Sequence, residues 1–462
     1  MSELAARHGG RAGLAALVAI LLLGLGLRLN EAWDGRAPVY DAAAYAAIAA
    51  NLERGDGFTV GDDATQPSSN YSPGLPLFVA AIYKVTGGIH EQLARVVLAV
   101  IGTLSVLFAY LIGRRLVPPP TDPPHMARVG PWGVGPALVG ALVVAIYPAL
   151  LEYQGMLMSE PLAATLLSGG VLAVLWAWDG GRWRWLLPGA LFGALALTRP
   201  EYLGVAVLVA VVIFAREARG DWRVSLMRAA VFLLGLVVVV APWTVRNAVA
   251  LDRFVPISTG GGQVLFAGTY LPSDGDPEKV GAEVVAENPG LFSPQDAQRL
   301  RLEQILARLA ADRYRGMESD QALSKLGKEQ LWDDVSDEPL EYAGFVATKV
   351  WRIWSHGPRD VMREPVWEAV HWLLVASGLL GLGVLAWRRR WEALLLGTVF
   401  LAITAISALL VASPRRVLVL VPLLAPLSAV AISSIQHRFH AFSPYRNQKS
   451  GNDAVPDSLG GS

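Results

Sequence analysis

Gln92–Arg114 reads QLARVVLAVIGTLSVLFAYLIGR. Past Arg95 the run carries no charge until Arg114. A helix crosses the hydrocarbon core of a bilayer in about 20 mostly apolar residues, and lipid obliges it to satisfy its backbone polar groups internally. The stretch is therefore expected to be a spanning helix. Nine further segments meet the same test: Ala12–Asn30, Gly133–Leu151, Pro161–Trp178, Trp185–Thr198, Tyr202–Ala215, Leu226–Val245, Val366–Trp387, Ala393–Ala412 and Val417–Ile435. The fifth and sixth of the ten are short and share the turn Thr198-Arg199-Pro200-Glu201. Ala12–Asn30 lacks a small-residue cleavage site and reads as a retained anchor.

The composition agrees. Of 462 residues, 53% are hydrophobic and only 17% charged, against about 25% charged in a soluble domain. That excludes disorder, and the absence of cysteine excludes a disulfide-stapled scaffold. Lysine plus arginine equals aspartate plus glutamate at 39 each, which argues against a nucleic-acid partner.

Basic residues in short loops favour the cytoplasm. Placing Arg7 and Arg11 inside puts Arg114, Arg115, Arg128, Arg182, Arg184, Arg216, Arg219, Arg223, Arg228 and Arg388–Arg390 inside too, along with the tail bearing Arg438, Arg446 and Lys449. Ser72–Gly87 is apolar but too short to span, and counting it would invert every later loop. It is expected to lie in the outer interface. Three stretches then face outward: Glu31–Glu91, Glu152–Glu160 and Asn247–Pro365. Residues 271–341 hold 16 acidic and 8 basic residues, a net of −8.

The first of these stretches begins with an alanine-rich helical pattern from Asp41, which includes Tyr45 and ends at Gly55-Asp56-Gly57. A carboxylate suits a helix start. It could equally serve as a general base on a hydroxyl acceptor. The turn-rich run Pro67–Pro76 follows and contains Asn70 and Tyr71. In the long third stretch, Ser293-Pro294-Gln295-Asp296 predicts a helix start, with Leu300, Leu302, Ile305, Leu306 and Leu309 at helical spacing. A second helix is predicted over Asp320–Trp332 and an amphipathic one over Pro339–Trp354.

Glu160 borders the fourth span, and acids there default to functional candidates, with a solvated helix cap as the plain alternative. Arg199 and Glu201 are expected to pair with each other. Arg246, Arg415 and Arg416 fall outside, against the charge trend, and need an anionic partner. A lipid phosphate is the natural one, and generic headgroup anchoring explains them equally well. Asp274-Gly275-Asp276 lacks a surrounding βα pattern. Gly260-Gly261-Gly262 lacks the Lys-Ser/Thr of a phosphate loop. Asn70-Tyr71-Ser72 matches a glycosylation sequon of the kind that arises by chance, and the seven histidines are scattered.

Five stretches together carry a resemblance: Asp41-x-x-x-Tyr45 through Gly55-Asp-Gly-Phe58, Tyr71-Ser-Pro73-Gly-Leu-Pro76, Met158-Ser-Glu160-Pro161-Leu162, Leu197-Thr-Arg199-Pro200-Glu201 and Pro242-Trp-Thr-Val-Arg246-Asn247. They cover roughly the first 250 residues. The chain resembles the GT-C superfamily of polytopic membrane glycosyltransferases, and within it the bacterial protein O-mannosyltransferase and aminoarabinose-transferase group. The resemblance implies an all-α polytopic fold with Asp41 as catalytic base and Glu160 as second acid. It implies an inverting transfer from a polyprenyl-phosphate sugar to a lipid, glycan or protein hydroxyl at the outer face of a bacterial inner membrane. The substrate-binding set expected from these stretches is Tyr45, Asn70, Tyr71, Arg199, Glu201, Arg246, Asn247, Arg415 and Arg416. Two departures stand out. Ala42 follows Asp41 where the mannosyltransferases often carry a second acid, and Ser72 stands where the aminoarabinose transferases carry a lysine. The second shifts phosphate binding to Arg246, Arg415 and Arg416. No cofactor is implied with certainty, and a divalent metal is left open because one first-loop acid is a poor site for it.

The expected organisation is a catalytic membrane module over 1–246, an extracytoplasmic helical loop over 247–365, C-terminal spans over 366–436 and a disordered cytoplasmic tail over 437–462. The competing readings are a transporter or flippase of a lipid-linked solute, and a structural membrane protein whose outer helices dock a partner. Transporters often show repeated halves and polar residues near the midplane. Here no repeat is visible, and the polar residues gather toward one face.

Overall fold

The structure is a computed structural model that describes residues 2–33, 38–39, 41–60, 67–117 and 135–441. The proline-rich tract at 118–124, Arg128 and the tail beyond Ala441 lie outside the described residues. Every element is helical, with no strand among the described residues.

Helices occupy all ten stretches expected to span. Among the described residues six are long and apolar enough to cross a membrane: Arg11–Trp33, Glu91–Leu116, Ser159–Ala177, Gly220–Leu251, Pro365–Trp387 and Trp391–Leu409. Gly135–Ile146 and Pro148–Gln154 form a seventh if counted together, bent by 46°. Leu186–Thr198, with 13 residues, reaches only about 20 Å at 1.5 Å per residue. Gly74–Thr86 is a short apolar helix, and Gly87 ends it in the left-handed conformation at φ 73°.

The breaks have local causes. Pro148 has no N–H, so the Val144 carbonyl loses its intrahelical donor. Arg28 replaces it: its guanidinium donates to Val144 O at 3.1 Å and Ala145 O at 3.2 Å. A cation inside a span costs about 2.5–3.5 kcal/mol unless it finds such partners, and the negative end of the Gly135–Ile146 helix is a favourable one. Tyr202–Leu251 runs 50 residues but leaves helical geometry at Asp221, φ −129° and ψ 93°. The Asp221 carboxylate then accepts the backbone N–H groups of Arg223 and Val224 at 3.0 and 3.2 Å, which caps the second arm. That arm lies against Leu186–Thr198 backbone to backbone. A Cβ on Gly189 would fall 1.9 Å from Phe232 O.

A second core is built by Gly261–Thr269, Val280–Glu287, Leu302–Arg313 and Ser319–Asp337, around Phe266, Val284, Ile305, Leu306 and Leu323. The first two of these helices were not expected. The triglycine starts one of them, and the Gly262 N–H donates to the Asp320 carboxylate at 2.8 Å. The helix expected to run on from Ser293 is two pieces. Asp296–Arg299 stops where Leu300 turns extended, and Leu302–Arg313 restarts with Gln304 accepting the Arg301 N–H at 2.9 Å. The last long helix runs through Ala441, so residues 437–441, expected as disordered tail, are helical.

The two ends of the bundle differ in chemistry. At one end Arg115 pairs with Asp179 at 2.6 Å, and Arg216 lies between Trp178 and Trp391 at 3.7 and 4.0 Å from the ring centroids. Such sandwiched cation–π contacts favour a partly dry setting. The other end gathers Asp41, Glu160 and Glu201 with three arginines.

Candidate active site

Three carboxylates meet at this second end, each at the start of a helix. Asp41 begins Asp41–Arg54, Glu160 lies in the first turn of Ser159–Ala177, and Glu201 precedes Tyr202–Leu251. The helix dipole favours an anion at each position. Arg199 ends Leu186–Thr198, the dipole-favoured end for a cation, whereas Arg415 and Arg416 open the short helix Arg415–Leu418, where the dipole opposes them. The acids offset that.

The six side chains form one chain of charge. Asp41 Oδ2 accepts from Arg415 Nη1 at 3.1 Å. Arg415 Nε donates to Glu160 Oε1 at 2.5 Å. Arg199 Nη1 reaches the same oxygen at 3.2 Å, and its Nε donates to Glu201 Oε1 at 2.9 Å. Arg416 Nε lies 3.7 Å from that Glu201 oxygen. Glu160 has no exposed surface, while the Asp41 side chain is 45% exposed. Burial opposes the charge on Arg199, but Glu201 and Glu160 outweigh it and hold the guanidinium above its ordinary value. Burial also works against the Glu201 carboxylate, and Arg199 and Arg416 overcome it, which holds the acid below the usual range.

Arg199 and Glu201 pair as expected from the sequence, and Arg199 also reaches Glu160. Tyr45 sits one turn after Asp41 and meets Tyr71 edge to face at 5.8 Å. Burial, with Asp41 and Glu160 close by, pushes its phenol up. Burial does the same to Tyr71, helped by Glu303. Gly74 lets Gly74–Thr86 close on the Arg199 turn: a Cβ there would lie 2.4 Å from Thr198 Oγ1 and 2.7 Å from its backbone N.

Besides Tyr45 and Tyr71, three more expected binding residues lie outside this chain of charge. Arg246 donates to Ser68 O at 3.0 Å and Phe58 O at 3.3 Å. Buried Asn247 donates to Val255 O and Ile257 O at 3.1 and 2.9 Å. Asn70 Oδ1 accepts from Thr259 Oγ1 at 2.8 Å. Together they tie the first loop to the segment after Leu251. Sequence reasoning passed over Tyr153, whose ring lies 5.8 Å from the Arg415 guanidinium carbon and 5.9 Å from that of Arg359. Arg359 also pairs with Glu152 and sits at φ 87°, where a non-glycine residue is strained. A left-handed Leu157 at φ 50° bends the turn between Gln154 and Ser159. No group of three or more His, Cys, Asp or Glu among the described residues is placed to hold a metal ion.

A cavity of about 950 Å³ opens beside the charge chain. Its walls begin at Gly74, Leu162 and Thr198 and end at Trp176, Arg115 and Asp179. Leu162, Leu166, Gly169, Ala173 and Trp176 line it from one face of a single helix, over about 20 Å. The walls are aliphatic or aromatic almost throughout. The arrangement is a charged, partly open cluster beside one end of a long apolar groove.

No protein-family model matches the sequence, and no curated protein matches it. Solved structures do. The archaeal oligosaccharyltransferase AglB from Archaeoglobus fulgidus, in complex with an inhibitory peptide and a dolichol-phosphate, superposes at a TM-score of 0.54 with 16% identity, over 97% of this chain and 52% of that one. The chain thus spans about half the length of that enzyme. ArnT from Cupriavidus metallidurans bound to undecaprenyl phosphate aligns at a TM-score of 0.41 with 16% identity, over 91% of this chain and 78% of that one. The chain shares its fold with that oligosaccharyltransferase over about half of that enzyme's length.

Proposed function

We propose that this protein is an inverting glycosyltransferase that moves a sugar from a polyprenyl-phosphate donor to an acceptor hydroxyl at the extracytoplasmic face of a cell membrane. The observation that carries the reading is the meeting of Asp41 and Glu160 on Arg415 at the mouth of the apolar groove. The groove suits a polyprenyl tail, and the charged cluster suits a phosphate and a sugar. The dolichol-phosphate in the oligosaccharyltransferase of like fold supports a lipid phosphate in this setting.

In this mechanism Asp41 takes the proton of the acceptor hydroxyl. The oxygen attacks the anomeric carbon on the face opposite the phosphate. The bond from that carbon to the phosphate oxygen breaks, and polyprenyl phosphate leaves. Positive charge develops on the sugar ring, while Arg415 stabilises the departing phosphate. Glu160, Arg199, Glu201 and Arg416 position Arg415, and Tyr45 and Tyr71 wall the acceptor side. Arg246, Asn247 and Asn70 hold the first loop in place. The expected ten-span topology places both termini in the cytoplasm and the sandwiched Arg216 at the cytoplasmic end.

Purified protein in nanodiscs, supplied with polyprenyl-phosphate sugars and membrane extract as acceptor, tests the reading. Transfer of label from donor to a new product is expected. Accumulation of intact donor inside sealed proteoliposomes of the same protein, without covalent transfer, would favour a flippase instead.

A further inference from the structure

We propose that the phosphate of the donor takes Arg415 away from Asp41, so that the candidate base is released only when a polyprenyl phosphate is seated. The inference rests on the glycosyl-transfer reading above.

The two bonds of Arg415 are unequal. Glu160 is fully buried and holds Nε at 2.5 Å, while Asp41 is 45% exposed and holds Nη1 through one contact at 3.1 Å. A half-exposed single contact of this kind contributes little. A phosphate oxygen pair matches the guanidinium fork and makes stronger, two-point bonds. Arginine has five N–H donors, so Arg415 can keep Glu160 and exchange Asp41.

Charge points the same way. Among the described residues, Arg199, Arg415 and Arg416 balance Asp41, Glu160 and Glu201, so these six leave no spare cation for an anionic headgroup. Releasing Asp41 provides one. As held, Asp41 Oδ2 faces the Arg415 N–H, and the carboxylate is pinned in that orientation rather than turned to an acceptor hydroxyl until Arg415 leaves. Donor binding therefore switches the base on, donor precedes acceptor, and the empty site does not activate water. No covalent bond changes in the exchange itself.

A binding cycle tests this without catalysis. The full-length protein in phosphatidylcholine nanodiscs is titrated with undecaprenyl phosphate. Asp41→Asn is expected to bind about 2–5-fold tighter, and Arg415→Gln at least about tenfold weaker. The double variant is expected to match Arg415→Gln alone. Unchanged or weaker binding by Asp41→Asn overturns the proposal. So does a double variant that keeps the tightening, because Asp41 would then act by plain repulsion. If Arg415→Gln fails to fold, Arg415→Lys takes its place in the cycle and should reduce the coupling. Phosphatidylglycerol and inorganic phosphate are expected to show no Asp41-dependent gain at matched concentration, and an equal gain with either overturns the donor-specific trigger. Absence of transfer from any donor, with the cycle intact, sinks the glycosyl-transfer reading and leaves the exchange standing.

Discussion

Arg415 Nε donates to Glu160 Oε1 at 2.5 Å across 255 residues of sequence, and Glu160 has no exposed surface. Removing one partner of a buried ion pair costs about 3–5 kcal/mol, because the other charge stays behind. Glu160→Gln leaves Arg415 and Arg199 facing a neutral amide. We expect a lower thermal unfolding midpoint in detergent, and a smaller loss for Asp41→Asn, whose carboxylate is half exposed. Equal losses would show that the buried pair is not the stronger contact.

The groove predicts how tail length matters. Ala173 lines its deeper half, and Ala173→Trp fills that half while leaving the mouth open. Long-tailed donors should lose at least about tenfold in kcat/KM, since each buried methylene is worth about 0.8 kcal/mol. Donors with tails of two or three isoprene units should be unaffected. The same loss for both tail lengths would remove the tail from this groove.

Gly74 sits 2.4 Å, measured from a built Cβ, from Thr198 Oγ1, with the Thr198 backbone N at 2.7 Å. Backbone cannot yield as a flexible side chain can. Gly74→Ala should cost about 1–3 kcal/mol as an overpacked contact and shift the Arg199 turn. Activity is expected to fall further than stability alone explains, measured as kcat on protein that remains folded.

Lys349 is buried and donates to Gly268 O, and burial, with Arg416 near, pushes its amine down to about 7. The unfolded chain keeps the ordinary value, so between about pH 7 and pH 10 it holds a proton that the folded chain lacks. Stability therefore rises with pH in that window, by at most about 1.4 kcal/mol per pH unit. Below about pH 7 both states are protonated and the dependence vanishes. Thermal unfolding from pH 6 to about pH 9 should show this rise in wild type and a flatter profile in Lys349→Met. Parallel profiles would clear Lys349 of the effect.

Much of this was legible in the sequence because lipid imposes a rule that each stretch must meet alone. Runs such as Gln92–Arg114 declare themselves without knowledge of their neighbours. Asp41, Glu160 and the Arg199–Glu201 pair were legible as charges at helix ends. What sequence could not show is pairing at a distance. Arg415 and Asp41 lie 374 positions apart, and nothing local tells Arg415, which bonds carboxylates, from Arg246, which bonds carbonyls 178 and 188 positions earlier. Arg28 was hidden inside an apolar run because its partner is a carbonyl vacated by Pro148. The division of the helix after Ser293 was missed because Leu300 keeps helical spacing while its backbone turns extended.

The most direct test is the single-turnover rate of sugar transfer by Asp41→Asn, with saturating polyprenyl-phosphate sugar and acceptor. A base of this kind contributes about 10²–10⁴-fold. We expect the variant to fall by that factor while its donor affinity holds or improves. Transfer at the wild-type rate would contradict the assignment of Asp41 and, with it, the proposed mechanism.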